Sequence, residues 1–225
     1  MNQADGVIKT HIHKFPLSNI NLLRVRFVLL AVMLTTHLYL IAHLGLRWFS
    51  SSIIFLSNWG FWTTNCYFIL VLLKFPDRQV TRNFASFFHT LLSMEFVITI
   101  VFWTVLYSDP HYDKRDKAIQ TIAIHGIPLT CLLIDFCFNR LFVCKRSFKY
   151  LLAVGCFYSI FNMIMVLFVL GRPIYPPLTW KDWNSVLFSF LSVTLQLVAW
   201  SSVLMMQKVK YRKVKHSGDS LIDIM

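Results

Sequence analysis

The chain has 225 residues, of which 56% are hydrophobic, 16% aromatic and only 14% charged, and its mean hydropathy is +0.59. A soluble domain carries roughly 25% charged residues, so this chain has too little polar material to cover a water-facing surface. The net charge of +12 would suit nucleic acid, but the basic residues lie between apolar runs, which excludes that partner and points to a membrane.

Six apolar runs follow in order: Phe27 to Leu46, Ile53 to Leu73, Phe84 to Tyr107, Thr121 to Val143, Tyr150 to Leu170 and Val186 to Met206. Each is about 20 residues, the length a helix needs to cross ~30 Å of hydrocarbon. The expected fold is an all-α integral membrane bundle of about six transmembrane helices. Residues 1–25 form a cytosolic N-terminal segment, 26–207 the membrane domain and 208–225 a basic cytosolic tail.

Orientation follows from Lys and Arg. With both termini in the cytosol, that side holds Lys9, Lys14, Arg24, Arg26, Lys74, Arg78, Arg82, Arg140, Lys145, Arg146, Lys149 and the basic tail from Lys208 to Lys215. The opposite side keeps six: Arg47, Lys114, Arg115, Lys117, Arg172 and Lys181. Sixteen of the 22 bases are then cytosolic, as the positive-inside rule requires. The opening 25 residues are polar and basic, and no small-residue cleavage site follows the first run. That run is expected to act as an uncleaved signal anchor.

Cys66, Cys131, Cys137 and Cys156 fall in helices and Cys144 on the cytosolic side, away from any loop where disulfides form. They are expected to be buried as small apolar residues. No C-x-x-C or Cys/His spacing exists, the eight His give no H-x-x-x-H pair in the core, and His11 and His13 lie in the N-terminal segment. No metal or other cofactor is expected. The segment 208–215 either attracts anionic lipid or simply sets topology, and HSGDSLIDIM reads as a disordered tail. The loops are too short for a soluble domain, so chemistry must reside within the bundle.

A polar group in hydrocarbon costs free energy unless paired, so the intramembrane polar residues are the best pointers to function. They are His37, His43, Asn58, Thr63, Thr64, Asn65, His89, Glu95, His125, Asp135, Asn162 and Gln196. Glu95 lies about 11 residues into the third helix and Asp135 about eight from the cytosolic end of the fourth, within roughly 5 Å of the same depth. Two carboxyl groups at one depth suit a proton relay or a polar substrate pocket. An interhelical hydrogen bond, to Asn162 or Gln196, would account for them equally.

His125 opens IHGIPLTCLLIDF (residues 124–136), where Pro128 offers no N–H to the carbonyl of Ile124. Gly126 adds backbone freedom. A neutral His beside such a break suits a base, and a His satisfied at a helix interface suits it as well. In NWGFWTTNCYF (residues 58–68), Trp59, Thr63, Cys66 and Tyr67 share one helical face, with Asn58, Trp62 and Asn65 on another. A Thr at mid-membrane ordinarily bonds back to its own helix.

Together these residues resemble the androgen-induced-gene family of multipass membrane proteins and, more distantly, the rolling-stone family. The resemblance rests on Trp59-Gly60-Phe61-Trp62-Thr63, on His125 with Asp135 ten positions later, on Val101-Phe102-Trp103 with Tyr107, and on Ile174-Tyr175-Pro176. It runs from about residue 50 to 205 in the same order. The chain departs from the family at Ile122, where relatives often have a second His. It departs again at Pro128, three rather than five positions after His125.

The resemblance implies hydrolysis of fatty acid esters of hydroxy fatty acids, with Thr63 as nucleophile and His125 as base. In physical terms His125 takes the Thr63 proton, an acyl-enzyme forms, and His125 returns a proton to the leaving alcohol. Trp59, Asn65 and backbone N–H groups at a kink are candidate oxyanion donors, and Glu95 and Asp135 are candidate supporting groups. Asp135 lies about 15 Å along the helix from His125, too far to orient its ring.

Three function classes are therefore open. The first is a lipid ester hydrolase whose substrate enters laterally from the membrane. The second is a non-catalytic bundle that binds lipid or serves as a subunit of a membrane complex. The third is a small proton-linked transporter built on Glu95, Asp135 and the His residues. The expected location is the endoplasmic reticulum or plasma membrane, with a mitochondrial membrane as the alternative.

Overall fold

The computed structural model describes residues 19–45, 52–73, 82–107, 115–139, 141 and 146–215, and helix dominates them throughout. The segment before residue 19, Arg47, Lys74, Arg78, Arg140, Cys144, Lys145 and the HSGDSLIDIM tail lie outside the described residues. Among the described residues seven α-helices follow in order: α1 (Asn19–Leu44), α2 (Leu56–Leu73), α3 (Arg82–Val101), α4 (Arg115–His125), α5 (Ile127–Phe138), α6 (Ser147–Ile164) and α7 (Trp183–Lys215). π-helical turns at Phe102–Leu106 and Met165–Leu170 continue α3 and α6. Gly171, in the left-handed region at φ 64°, ends the second of these turns.

Among the described residues five stretches are long and apolar enough to cross a bilayer: Asn21–Leu44, Asn83–Leu106, Ile119–Phe138, Ser147–Leu170 and Trp183–Lys210. The remaining expected span, on α2, forms an 18-residue helix. Asn58, Thr63, Thr64 and Asn65 leave it less apolar than the other five. Large apolar side chains such as Phe27, Phe157, Phe168 and Phe190 point outward. A water-soluble protein does not carry so many on its surface; lipid satisfies them. The expectation of buried cysteines holds for Cys131 alone, because Cys66, Cys137 and Cys156 are exposed on the apolar exterior.

α3 is the central helix. Its span is 67% buried, against at most 39% for the other four, and it touches α2, α4, α5, α6 and α7. Its polar residues explain the placement: Ser86, His89, Thr90, Ser93 and Glu95 all face the interior, where a bundle shields them from hydrocarbon. Ser147 Oγ and His89 Nδ1 share a hydrogen bond of 2.5 Å, and Trp200 Nε1 donates to the same hydroxyl at 3.0 Å. One buried network thus ties α3, α6 and α7.

A second polar knot joins α1, α2 and α5. Arg26 Nε donates to Asp135 Oδ1 at 2.7 Å. Tyr67 Oη and Asn139 Nδ2 donate to Asp135 Oδ2 at 2.6 and 2.9 Å. Arg26 was expected among the cytosolic flanking charges; it is buried instead. The reason is that α1 starts at Asn19, so Arg26 sits two turns into the helix and its long side chain folds back to the carboxylate. Lys210 of α7 completes the knot by donating to the carbonyls of Phe136 and Asn139 at the end of α5.

Breaking a buried pair by removing one partner costs roughly 3–5 kcal/mol, whereas replacing both by apolar groups is often neutral. Asp135→Ala is therefore expected to destabilise the detergent-solubilised protein by about that amount, and Arg26→Met with Asp135→Leu by much less. Thermal unfolding followed by helical circular dichroism checks this. Equal losses in the single and the double variant would contradict the pairing.

Candidate functional site

The expected break in the fourth apolar run is present. α4 ends at His125, Gly126 adopts φ −118° and ψ −46°, and α5 opens with Pro128 in its first turn. The run was expected to start at Thr121 and end at Val143; it starts at Arg115 and its helix stops at Phe138, where Asn139 turns to an extended conformation. The backbone carbonyls at the break find donors both on α3 and within α5. Thr99 Oγ1 of α3 donates to the His125 carbonyl at 2.8 Å, and Thr130 donates its N–H and hydroxyl to the Gly126 carbonyl.

The His125 ring lies flat on Phe102, with centroids 3.7 Å apart and planes 8° from parallel. Phe102 opens the π-turn that ends α3. The extra residue in a π-turn shifts the side chains that follow it, a device frequent at functional sites. His125 Nδ1 is buried without a hydrogen-bond partner. The ring forms part of the wall of a partly open cavity of about 90 Å³ bordered by α2, α3, α6, α7 and the 171–182 segment. Apolar side chains from Val97, Phe102 and Phe188 dominate that wall, and none of its residues is Lys, Arg, Asp or Glu.

Two tyrosines roof the cavity and fix the start of α2. The Leu56 N–H, at the first position of α2, reaches the hydroxyls of Tyr158 at 3.2 Å and Tyr175 at 3.1 Å. Tyr158 in turn donates to the Ile54 carbonyl at 2.8 Å. Burial pushes the Tyr175 hydroxyl well above the ordinary tyrosine range, and the adjacent Tyr158 adds to the shift. The group therefore stays a neutral hydrogen-bonding one.

The other expected site residues are placed less favourably for a shared site. Thr63 Oγ1 donates to its own helix, to Trp59 O at 2.6 Å and Gly60 O at 3.1 Å. No hydrogen bond joins it to His125, and Thr63 does not line the cavity. Trp59 packs against Phe157, Tyr158 and Phe161 and spends its indole N–H on the Ile53 carbonyl. Asn65 donates to Phe61 O at 2.9 Å. The shared face expected for Cys66 and Tyr67 is not kept: Cys66 is exposed, while Tyr67 is fully buried against Asp135.

Glu95 and Asp135 do not meet. Phe136 stacks on Phe88 at 6.4 Å, and Glu95 lies seven residues, about 10 Å, further along α3. Asp135 sits in the last turn of α5, nearer the helix end than the apolar run implied, and Arg26 rather than another carboxyl compensates it. Glu95 is fully buried beside Gly60 and Thr64. The hydrogen bonds considered for Asn162 and Gln196 are likewise not made to these acids. Asn162 Oδ1 accepts from Trp180 Nε1 at 2.8 Å, and Gln196 lies over Gly155.

Comparison with protein-family models, with curated proteins and with solved structures finds no match to this chain. Of the four motifs, three send a side chain to the cavity: Phe102, His125 and Tyr175. Tyr158 was not singled out from the sequence; nothing there marks one tyrosine of α6 as the partner of a loop tyrosine more than a hundred residues away from Leu56.

Because Leu56 N–H is shared between two hydroxyls, either alone can satisfy it. Tyr175→Phe is expected to cost about 1 kcal/mol or less. Tyr158→Phe and Tyr175→Phe together should cost more than the sum of the single changes, since only the double variant orphans a donor at a buried helix start. Unfolding midpoints of the four proteins measure the coupling, and strict additivity would show that the two hydroxyls act separately.

Proposed function

We propose that this chain is a six-span membrane protein with both termini cytosolic, and that it hydrolyses fatty acid esters of hydroxy fatty acids in the endoplasmic reticulum or plasma membrane. The excess of basic residues on one side supports the orientation, and the resemblance to the androgen-induced-gene family supports the chemistry. One observation carries the reading: His125, at a helix break, faces an apolar cavity with a ring nitrogen that no protein group occupies.

In this reading the acyl chains enter between helices and the ester carbonyl comes to rest beside His125. The nucleophile is Thr63, on α2, a helix in contact with α4. A rotation about χ1 must first release its hydroxyl from Trp59 O and Gly60 O; a second staggered rotamer is open to a helical Thr. His125 accepts the proton as the Thr oxygen attacks and returns it to the leaving hydroxy acid. Water then cleaves the acyl-Thr bond.

A second reading has its own support. The Thr63 hydroxyl is held at 2.6 Å by its own helix, the arrangement of a structural Thr. In a non-catalytic lipid-binding bundle the cavity would hold an acyl lipid without cleaving it. A proton-linked transporter has less to recommend it, because Asp135 is fully engaged by Arg26, Tyr67 and Asn139.

Purified protein reconstituted in lipid, given a branched fatty acid ester, separates these readings. Hydrolysis by the wild type is expected, with Thr63→Ala and His125→Ala each slower by at least about a hundredfold and unfolding at the wild-type temperature. No wild-type turnover across a panel of lipid esters would leave lipid binding as the function. Activity that survives Thr63→Ala would assign the nucleophile elsewhere.

A further inference from the structure

The cavity contains more polar side chains than His125, and most of them are already committed. Ser159 and Ser192 donate to the carbonyls of Gly155 and Phe188 in their own helices. The hydroxyls of Tyr158 and Tyr175 are held at the start of α2. Gln196 of α7 differs. It is 7% exposed, lines the cavity, and its Oε1 is buried with no hydrogen-bond partner. Its amide directs its N/O edge at Gly155, where a Cβ would stand 2.5 Å from both Nε2 and Oε1. Only glycine at that place leaves room for the amide.

A primary amide buried without partners is costly in an apolar wall, and the cost is recovered when a ligand supplies the missing hydrogen bonds. The ligand's charge is restricted by the same wall. With no Lys or Arg among the lining residues, a phosphate headgroup would be desolvated with nothing to neutralise it. An ester or a neutral carboxyl group carries no such penalty. It presents a carbonyl oxygen to an amide N–H, and a hydroxyl or acid proton to the amide oxygen.

We propose that Gln196 is the polar anchor of this cavity and that the cavity takes an uncharged acyl lipid, its carbonyl hydrogen-bonded to the Gln196 amide, in preference to a phospholipid. The inference deepens the ester-hydrolase reading by assigning the residue that recognises the substrate's uncharged ester group, the free carboxylate of a hydroxy fatty acid staying outside the cavity. It needs no cleavage, and it holds for a lipid-binding bundle as well. Gly155 then serves as the seat that lets the amide reach the ligand.

The test uses the full chain in detergent micelles with radiolabelled methyl oleate as probe and dioleoyl phosphatidic acid as competitor. The wild type is expected to bind methyl oleate and to release little of it to the phospholipid. Gln196→Met, close in length but without hydrogen-bonding groups, is expected to bind about tenfold more weakly. Infrared spectroscopy of an isotope-labelled ester carbonyl reads the bond in the wild type itself, so the test survives a variant that fails to fold. A stretch shifted to lower frequency in the complex is expected. An unshifted carbonyl, unchanged affinity in a folded Gln196→Met, displacement by equimolar phosphatidic acid or no methyl oleate binding would each overturn the proposal. Cleavage enters neither readout. A wild type that binds but never cleaves defeats the hydrolase reading alone, and turnover with a silent Gln196→Met defeats this inference alone.

Discussion

The ion pair between Arg26 and Asp135 is the constraint on which the arrangement of the bundle depends. A carboxylate in a membrane helix must be matched by charge and by hydrogen bonds, and Asp135 obtains both from three different directions. Arg26 brings α1, Tyr67 brings α2, and Lys210 brings the far end of α7 to the carbonyls that close α5. Four segments distant in sequence are held at one point. The position of α5 is fixed from below, and the break at Gly126 comes to rest against Thr99 and Phe102 of α3. His125 owes its place at the cavity to a salt bridge at the opposite end of the same run.

The apolar runs located the helices because length and hydropathy are properties of position along the chain. The break at Gly126 and Pro128 was legible for the same reason: it depends on local backbone chemistry. What the runs concealed was which polar residue meets which. Arg26 precedes the first run by one residue and so counts as a loop charge. Its true role depends on α1 beginning a full two turns earlier, in a stretch whose Asn and Arg residues dilute the apolar signal. Glu95 and Asp135 were matched by depth from boundaries several residues in error, and those errors, multiplied by the helical rise, account for the separation between them. Azimuth was less accessible still. Thr63 and His125 sit on neighbouring helices, and nothing in their spacing says that one points into its own backbone and the other into a cavity.

The polar groups of the interior divide into those that hold the bundle together and those that stand without partners. His89 with Ser147 and Trp200, and Asp135 with its donors, belong to the first kind; each joins three helices. Such networks, each reaching across three helices, make one arrangement of the helices distinctly better than its neighbours. The second kind includes His125 Nδ1 and Gln196 Oε1 at the cavity, with Asn65 Oδ1 and Ser93 Oγ elsewhere in the interior.

The two glycines beneath polar side chains have a consequence for how this sequence can change over time. Gly60 accommodates the Glu95 carboxyl and Gly155 the Gln196 amide, each pair on facing helices. The glycine of a pair cannot gain a side chain while the polar residue keeps its place. A methyl gained at position 60 would displace the Glu95 carboxyl, and one gained at 155 the Gln196 amide, so the long side chain must swing aside or shorten. Among descendants of a common ancestor, positions 35 and 41 residues apart in the chain would therefore vary together, and sequences that exchange both members at once would mark lineages in which a polar group has left the interior.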